Sequence, residues 1–281
     1  SLSLHLFDSM EPLSRIAIVT NATKVGAVDA ASALATIAQA EGVDVRSTAE
    51  FPPSEGFLKG VDACFVVGGD GTLLGMLDEA VRLNVPVAGV KHGQLGFLAT
   101  FSPEDLRHQL PPIFRGAYQV RRRSLLRCKF GSGDSRLALN DIVVKSGSDS
   151  RLARLAVRVE DEPVAEYACD GVIFSTPTGS TAYNLAAGGP LVHPAAHVVV
   201  MTPISAHTLT SRSVVFPRET RLFVESVGEQ DPPRVAADGQ DAYAGTNPLP
   251  LEVVVPEETF PLLEEENHSH FRVLRNKLKW D

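Results

Sequence analysis

The run VVGGDGTLL, Val66–Leu74, decides how the first half of this chain is read. Cys64, Phe65, Val66 and Val67 arrive as a short apolar run, the mark of a buried strand. Gly68, Gly69, Asp70 and Gly71 turn the chain, and a helix is expected to launch at Thr72. Leu73, Leu74, Met76, Leu77, Ala80 and Val81 then recur at three-to-four spacing. Glycines at such a turn let a ligand approach the backbone, and the helix start behind them presents unpaired N–H groups to an anion such as phosphate. Asp70 is an odd charge for a loop that only holds phosphate. A carboxylate there either takes a proton or binds a metal. On the turn alone, an ordinary strand-to-helix connection with Asp-Gly chosen for its geometry stands as the alternative.

Working outward, the same alternation of strand and helix fills the first hundred residues. Strands are expected at Arg15–Thr20, 43–46, 61–67 and 85–90, with helices at Ala27–Ala40, stopped by Gly42, and Leu73–Leu83. That order implies a parallel sheet covered by helices on both faces, with ligands beyond the carboxyl ends of its strands. From about Tyr118 the character changes. Short Val-, Ile-, Phe- and Arg-rich segments are separated by the turn clusters GSGD (131–134), SGSDS (146–150), EDEP (160–163) and DPP (231–233). Leu155, Val157 and Val159 alternate with Ala156, Arg158 and Glu160, the pattern of a half-buried strand. The fold class is therefore an α/β N-terminal domain (parallel sheet, Rossmann-like) over residues 1–115 and a β-rich C-terminal domain over 116–256. The boundary is expected in the Pro-bearing segment Gln109–Gly116, and one short helix near Thr181–Ala187. The tail, 257–281, is acidic and then basic; it either packs back on the first domain or stays partly free.

The chain has 281 residues, 44% of them hydrophobic and 21% charged, ordinary for a globular protein with a sizeable core. A net charge of −8 argues against a nucleic-acid partner. No apolar run approaches the roughly 18 residues of a membrane span. Cys64, Cys128 and Cys169, odd in number and without CxxC spacing, are expected as reduced thiols in a cytoplasmic protein. Met10 is read as the natural start, with Ser1–Ser9 an extension before it.

Six stretches together resemble the NAD kinase family: GGDGT (68–72), LGFL (95–98), ND (140–141), DGVIFSTPTGSTAYNLAAGGPLVHP (170–194), TPISAHTLTSR (202–212) and DGQ (238–240). GGDGT is shared with diacylglycerol-kinase-like and phosphofructokinase-like enzymes, whereas the 25-residue run from Asp170 is specific. The resemblance implies the NAD kinase fold and transfer of a terminal phosphoryl group from ATP or polyphosphate to the 2′-hydroxyl of the adenosine ribose of NAD. It also implies magnesium or another divalent ion with the donor, its ligands unassigned, and a homodimer or homotetramer.

On the same resemblance Asp70 is the proton acceptor. Gly68, Gly69, Gly71 and Thr72 shape the phosphate cradle. Asp170, Thr181, Ala182, Tyr183 and Ala186, with Asn184 and Leu185 between them, line the dinucleotide pocket, and Gln240 contacts the dinucleotide. Asn140 suits an adenine edge and Asp141 a ribose, although Glu is usual in the family at 141; an Asx turn closing a strand is the competing reading. Arg154, rather than Arg151, takes the family's polar ligand-side position. Lys91 stands where the family commonly has Asn and brings positive charge toward the donor phosphates. Arg121–Arg123 are read as an exposed basic strand, His193 as structural, and His207 is left undecided. A lipid or sugar kinase sharing GGDGT, and a non-catalytic dinucleotide sensor, are the rival functions.

Overall fold

The buried run Arg15–Thr20 forms the first strand, β1, in a computed structural model that describes residues 10–91, 96–148, 152–206 and 211–280. Helix α1 (Ala27–Ala40) buries Ala27, Ala30, Leu34 and Ala38 along one stripe. It ends before Gly42, whose φ of 80° costs a glycine little. Strands β2 (Asp44–Thr48) and β3 (Ala63–Val67) flank β1 in parallel, both starting a little later than the sequence suggests.

The expected helix over Leu73–Leu83 is instead two helices, α2 (Asp70–Leu74) and α3 (Leu77–Leu83). It starts before Thr72 because Gly69, in an extended conformation, already completes the turn out of β3. It breaks at Gly75 because the Phe51 ring lies where a side chain at position 75 would go. There the Met76 N–H reaches only three residues back, to Leu73, at 3.0 Å.

Strands β4 (Val87–Val90) and β5 (Ala99–Phe101), helix α4 (Leu106–Phe114) and strand β6 (Tyr118–Ser124) follow. Pro111 and Pro112 lie inside α4 rather than in a linker. Each removes a helical N–H, but Leu106, Leu110, Ile113 and Phe114 bury the helix against the same core as α1. The chain divides at Arg122, not at residue 115, because β6 is still a strand of the first sheet.

The second unit, Arg123–Thr259, holds strands β7 (Leu126–Phe130), β8 (Ser135–Ala138), β9 (Asp141–Lys145), β10 (Ala153–Val159), β11 (Glu162–Cys169) and β12 (Gly171–Ser175). A 3-10 turn (Thr178–Thr181) and the short helix α5 (Tyr183–Ala186) come next. Strands β13 (Val198–Ile204), β14 (Val214–Pro217), β15 (Leu222–Ser226), β16 (Arg234–Ala237), β17 (Gln240–Asp241) and β18 (Leu251–Val254) complete it. Among the described residues they make two six-stranded sheets, ordered β11-β10-β15-β18-β7-β8 and β14-β13-β12-β9-β16-β17. Leu155 and Val157 of the first sheet share one core with Val144, Phe174 and Met201 of the second. The period-two reading of β10 is therefore a reading of its buried face.

The tail returns to the first unit as β19 (Thr259–Glu265) and α6 (His270–Leu278). The first sheet runs β2-β1-β3-β4-β19-β6, with β5 also on β4. Phe260, Leu262 and Leu263 are fully buried, each contributing about 2 kcal/mol of apolar burial. The second unit is thus an insertion between two neighbouring strands of the first sheet. No described helix is long and apolar enough to cross a membrane.

Gly89 is where this sheet tolerates no side chain: a Cβ there would sit 2.8 Å from Ala99 Cα and 3.2 Å from Leu73 Cδ1. Gly89→Ala should force β4 and β5 apart and lower stability by about 1–3 kcal/mol in urea unfolding. An unchanged midpoint would mean that β5 yields without cost.

Candidate functional site

The Gly68–Thr72 turn stands beyond the carboxyl end of β3, where an open α/β sheet binds ligands. Three groups fix it. The Asn21 N–H donates to Val67 O at 2.9 Å. The Asn21 side-chain amide donates to Thr72 Oγ1 at 3.1 Å. The Gly68 N–H donates to Val90 O at 3.0 Å. A Cβ at Gly68 would come within 2.7 Å of Thr72 Oγ1, so this packing requires glycine. Asp70 opens α2, and its Oδ1 is buried without a hydrogen-bond partner among the described residues. Gly96 passes so close to that carboxylate that any side chain at 96 would strike it. The loop therefore holds a carboxylate oxygen with unused acceptor capacity.

Beside it opens a cavity of about 340 Å³, lined by Gly68 and Gly69, Val67, Val90, Lys24 and Lys91 among others. The start of α1 forms another wall; its N-cap, Gly26, is left-handed at φ 73° and gives no side-chain cap. Uncapped N–H groups and lysines together suit an anion. Among the described residues no three His, Cys, Asp or Glu side chains are grouped to hold a metal ion. One carboxylate oxygen with free acceptor capacity fits magnesium, which binds through one or two carboxylates, water and substrate phosphates rather than in a protein cage.

In the second unit the Asn140–Asp141 corner is held by a residue that sequence reasoning passed over. Asp238, left-handed at φ 50°, accepts the N–H groups of Leu139, Asn140 and Asp141 at 2.8, 2.7 and 3.1 Å. The DGQ stretch was its signal, but only Gln240 was taken from it. On the other side the Thr176 N–H donates to Asn140 O at 2.9 Å, and the Thr176 hydroxyl donates to Leu139 O at 2.6 Å. Gly179 passes against the Asn140 carbonyl so closely that a Cβ has no room. The backbone of Asn140 is saturated, while its half-buried side-chain amide meets no partner among the described residues.

The hydroxyl-rich turn divides its labour. Thr176 and Ser180 bond inward, Ser180 Oγ to Pro177 O at 2.7 Å, and Thr181 Oγ1 bonds back to Thr178 O at 3.2 Å. Asn184 is fully buried: its amide nitrogen donates to Ser180 O and Pro190 O, and its oxygen accepts from the Thr202 hydroxyl at 2.7 Å. Its side chain is committed to building the turn. Tyr183 is 37% exposed, with Lys145 Nζ 4.7 Å over its ring. Ala182 and Leu185 are half-buried beside it, and Ala186 is exposed.

The register separates the candidates along β9 and β12. Asp141 faces Ser175 and Lys145 faces Gly171, so the exposed Asp170, one residue beyond, lies more than a strand length, roughly 20 Å, from Asn140. Gln240 joins the Asn140 end, through Ala237 opposite Ile142. Arg154 lies on β10 next to Ala153, which faces Cys169, the residue before Asp170; its side chain is exposed. Arg121 meets Glu264 at 4.0 Å and Arg122 bonds Asn84, both exposed as the basic-strand reading expects, but Arg123 departs from it: packing covers the end of β6 and leaves it 8% exposed. The exposed His193 accepts the Ala195 N–H at 3.2 Å, a turn contact. Arg151, His207 and the His92–Gln94 stretch lie outside the described residues. The three cysteines are free and buried; burial pushes Cys128 and Cys169 up to about 11 and Cys64 higher still, leaving neutral thiols.

Asp141 is 4% exposed. Burial first, then the Asp238 charge, push its carboxyl up to about 7, against the Tyr183 N–H and Lys145. A folded-state value above the ordinary 3.8 means that the folded chain keeps a proton the unfolded chain has released. Stability from this group is therefore full at low pH and falls as pH rises through that window. Asp141→Asn mimics the protonated form. The wild type should lose about 1–3 kcal/mol more than the variant between pH 5 and pH 8 in urea unfolding. Parallel pH profiles would refute the shift.

Two family models match the chain: the ATP-NAD kinase N-terminal domain over residues 54–118 and the ATP-NAD kinase C-terminal domain over residues 139–264. An NAD kinase from Ralstonia nicotianae is 37% identical over 245 residues, covering 85% of this chain and 80% of that protein. One from Cupriavidus pinatubonensis is 38% identical over 226 residues, covering 78% and 73%. Among solved structures, an NAD kinase from Archaeoglobus fulgidus in complex with ATP superposes with a TM-score of 0.78 at 28% identity, covering 94% of this chain and 98% of that one. Yeast NADH kinase complexed with NADH shares the fold, at a TM-score of 0.82 and 21% identity, over 96% and 88%. Loop, insertion topology and these likenesses agree: the chain belongs to the NAD kinase family of phosphotransferases.

Proposed function

We propose that this chain transfers the terminal phosphoryl group of ATP, or of polyphosphate, to the 2′-hydroxyl of the adenosine ribose of NAD, giving NADP. The observation that carries the reading is Asp70, whose buried Oδ1 has no donor among the described residues and sits in a glycine turn beside an anion-suited cavity. A ribose hydroxyl is a poor nucleophile at neutral pH. Asp70 accepts its proton as the new O–P bond forms, while the bond from that phosphorus to the leaving phosphate oxygen breaks and its electron pair departs with the donor product. Gly68, Gly69, Gly71 and Thr72 shape the donor cradle. A divalent ion entering with the donor would supply charge neutralisation there, leaving Asp70 Oδ1 as the proton acceptor.

The second unit binds the dinucleotide. Asn140 offers a paired donor and acceptor to an adenine edge, and Tyr183 offers a ring face. Asp170, more than a strand length away, suits the far end of an extended ligand. Thr181, Ala182, Leu185, Ala186, Arg154 and Gln240 complete the lining, and Asn184 shapes it from within. Homologues named NAD kinase and a neighbour that binds ATP support the substrate pair.

Incubation with NAD, ATP and magnesium, with NADP read by a coupled dehydrogenase, separates this reading from a lipid or sugar kinase and from a dinucleotide sensor. Asp70→Asn should lower kcat by about 10²–10⁴ with NAD binding retained. Asp170→Ala or Asn140→Ala should instead weaken NAD binding by about 1–3 kcal/mol and spare the KM for ATP. Undiminished kcat in Asp70→Asn removes it from the chemistry. We further infer a homodimer or homotetramer, since the edge strand β14 leaves Val215 49% exposed. Light scattering across a dilution series tests this, and a fully active monomer near 30 kDa would exclude it.

A further inference from the structure

Strand β9 has two faces. Ile142 and Val144 point into the core shared by the two sheets, so Asp141, Val143 and Lys145 lie on the other face. Val143 is 2% exposed and its cross-strand partner Ile173 fully buried, because that face has a cover of its own. The 3-10 turn and α5 lie against β12, and Asn184 holds them there through Thr202, the residue opposite Ile173 on β13. Tyr183 precedes Asn184, and its ring reaches the Lys145 ammonium, which stands 4.7 Å over it. Lys145 is exposed and forms no ion pair or side-chain hydrogen bond among the described residues.

The neighbours of Lys145 leave its charge in place. Gly171, opposite on β12, has no side chain, and Arg234, opposite on β16, carries the same charge. Arg234 lines a cavity of about 470 Å³ together with Asp231 and Asp241, and Lys145 is not part of that lining. Asp141, on the Lys145 face, stands roughly 13 Å back along the strand. A carboxylate partner would neutralise the ammonium, whereas a ring face fixes its place and leaves the full charge to meet an anion. That place lies between Asn140, before the start of β9, and Asp170, beyond its far end. A dinucleotide spread between those two residues has a nucleoside at each end and its diphosphate between them.

We propose that Lys145, fixed over the Tyr183 ring, takes the diphosphate of the dinucleotide. It is then a specificity-determining residue, favouring diphosphate-bridged adenosine ligands over adenosine itself. The inference rests on the assignment of the second unit to the dinucleotide.

The test uses the full chain, with ADP-ribose and adenosine as calorimetric probes beside steady-state kinetics. Lys145→Gln should weaken ADP-ribose binding and raise the KM for NAD by about tenfold or more, through loss of one charge-assisted contact. Adenosine affinity and the KM for ATP should stay unchanged. Lys145→Arg should restore most of the ADP-ribose affinity, because the charge returns. Arg136→Gln, an equal loss of charge on the exposed edge strand β8, should match the wild type. Added salt should weaken ADP-ribose binding to the wild type more than to Lys145→Gln. Equal losses for ADP-ribose and adenosine overturn the proposal, since Lys145 then only holds the ring. So does unchanged ADP-ribose affinity in Lys145→Gln. If the selective ADP-ribose defect is found but no donor yields NADP, the diphosphate contact stands and the kinase reading falls. If NADP forms at an unaltered KM for NAD in Lys145→Gln, the kinase reading stands and the contact falls.

Discussion

A buried carboxylate oxygen without a hydrogen-bond donor among the described residues is the constraint around which the first unit is arranged. Leaving such a group unsatisfied costs about 1–3 kcal/mol, so it persists only where the surrounding structure imposes it. Here Gly96 closes over Asp70 without a side chain, and Gly68 brings Thr72 and Asn21 against the turn. The positions β1, β3 and β4 supply are those of three strand ends in one parallel sheet. What the fold holds at a cost is therefore a carboxylate oxygen without a donor among the described residues, beside a cavity lined by Lys24 and Lys91.

The second unit reaches a comparable end by the opposite device. Its corner at Asn140 is over-satisfied on the backbone: three N–H groups go to Asp238, and the carbonyl receives Thr176. Saturating the main chain fixes the direction of the corner and leaves the side-chain amide without a partner among the described residues. Asn184 works the same way from inside the hydroxyl-rich turn, spending every polar atom on Ser180, Pro190 and Thr202. A turn with five hydroxyl residues, Ser175, Thr176, Thr178, Ser180 and Thr181, is thus mostly architecture. What it leaves open to the surface is the exposed Tyr183 ring and the small residues around it.

The alternation of β1, α1 and β3 was legible because each element's burial follows a single period, as Ala27, Ala30, Leu34 and Ala38 show. The break between α2 and α3 was not, because its cause is Phe51, distant in sequence and invisible to local periodicity. Pro111 and Pro112 misled for a related reason: tertiary burial of Leu106, Leu110, Ile113 and Phe114 outweighs the local penalty. The site divides likewise. Asp70 and Asn140 sit in compact motifs and could be read. Asp238 acts through bonds to residues about a hundred positions away, and the DGQ stretch marks its place without showing those partners.

The insertion topology gives the tail its importance. Since β19 lies between β4 and β6, the first sheet is closed only after the whole second unit has been made. Leu262 pairs with Val87, so the last strand is anchored directly to the strand that ends at Val90, one residue before Lys91. Glu264 at its end, 2% exposed, lies 4.0 Å from Arg121 and 3.9 Å from His268, which carries that anchoring up to the start of α6. Helix α6 is consequently held by a chain of buried contacts rather than left as a loose terminus.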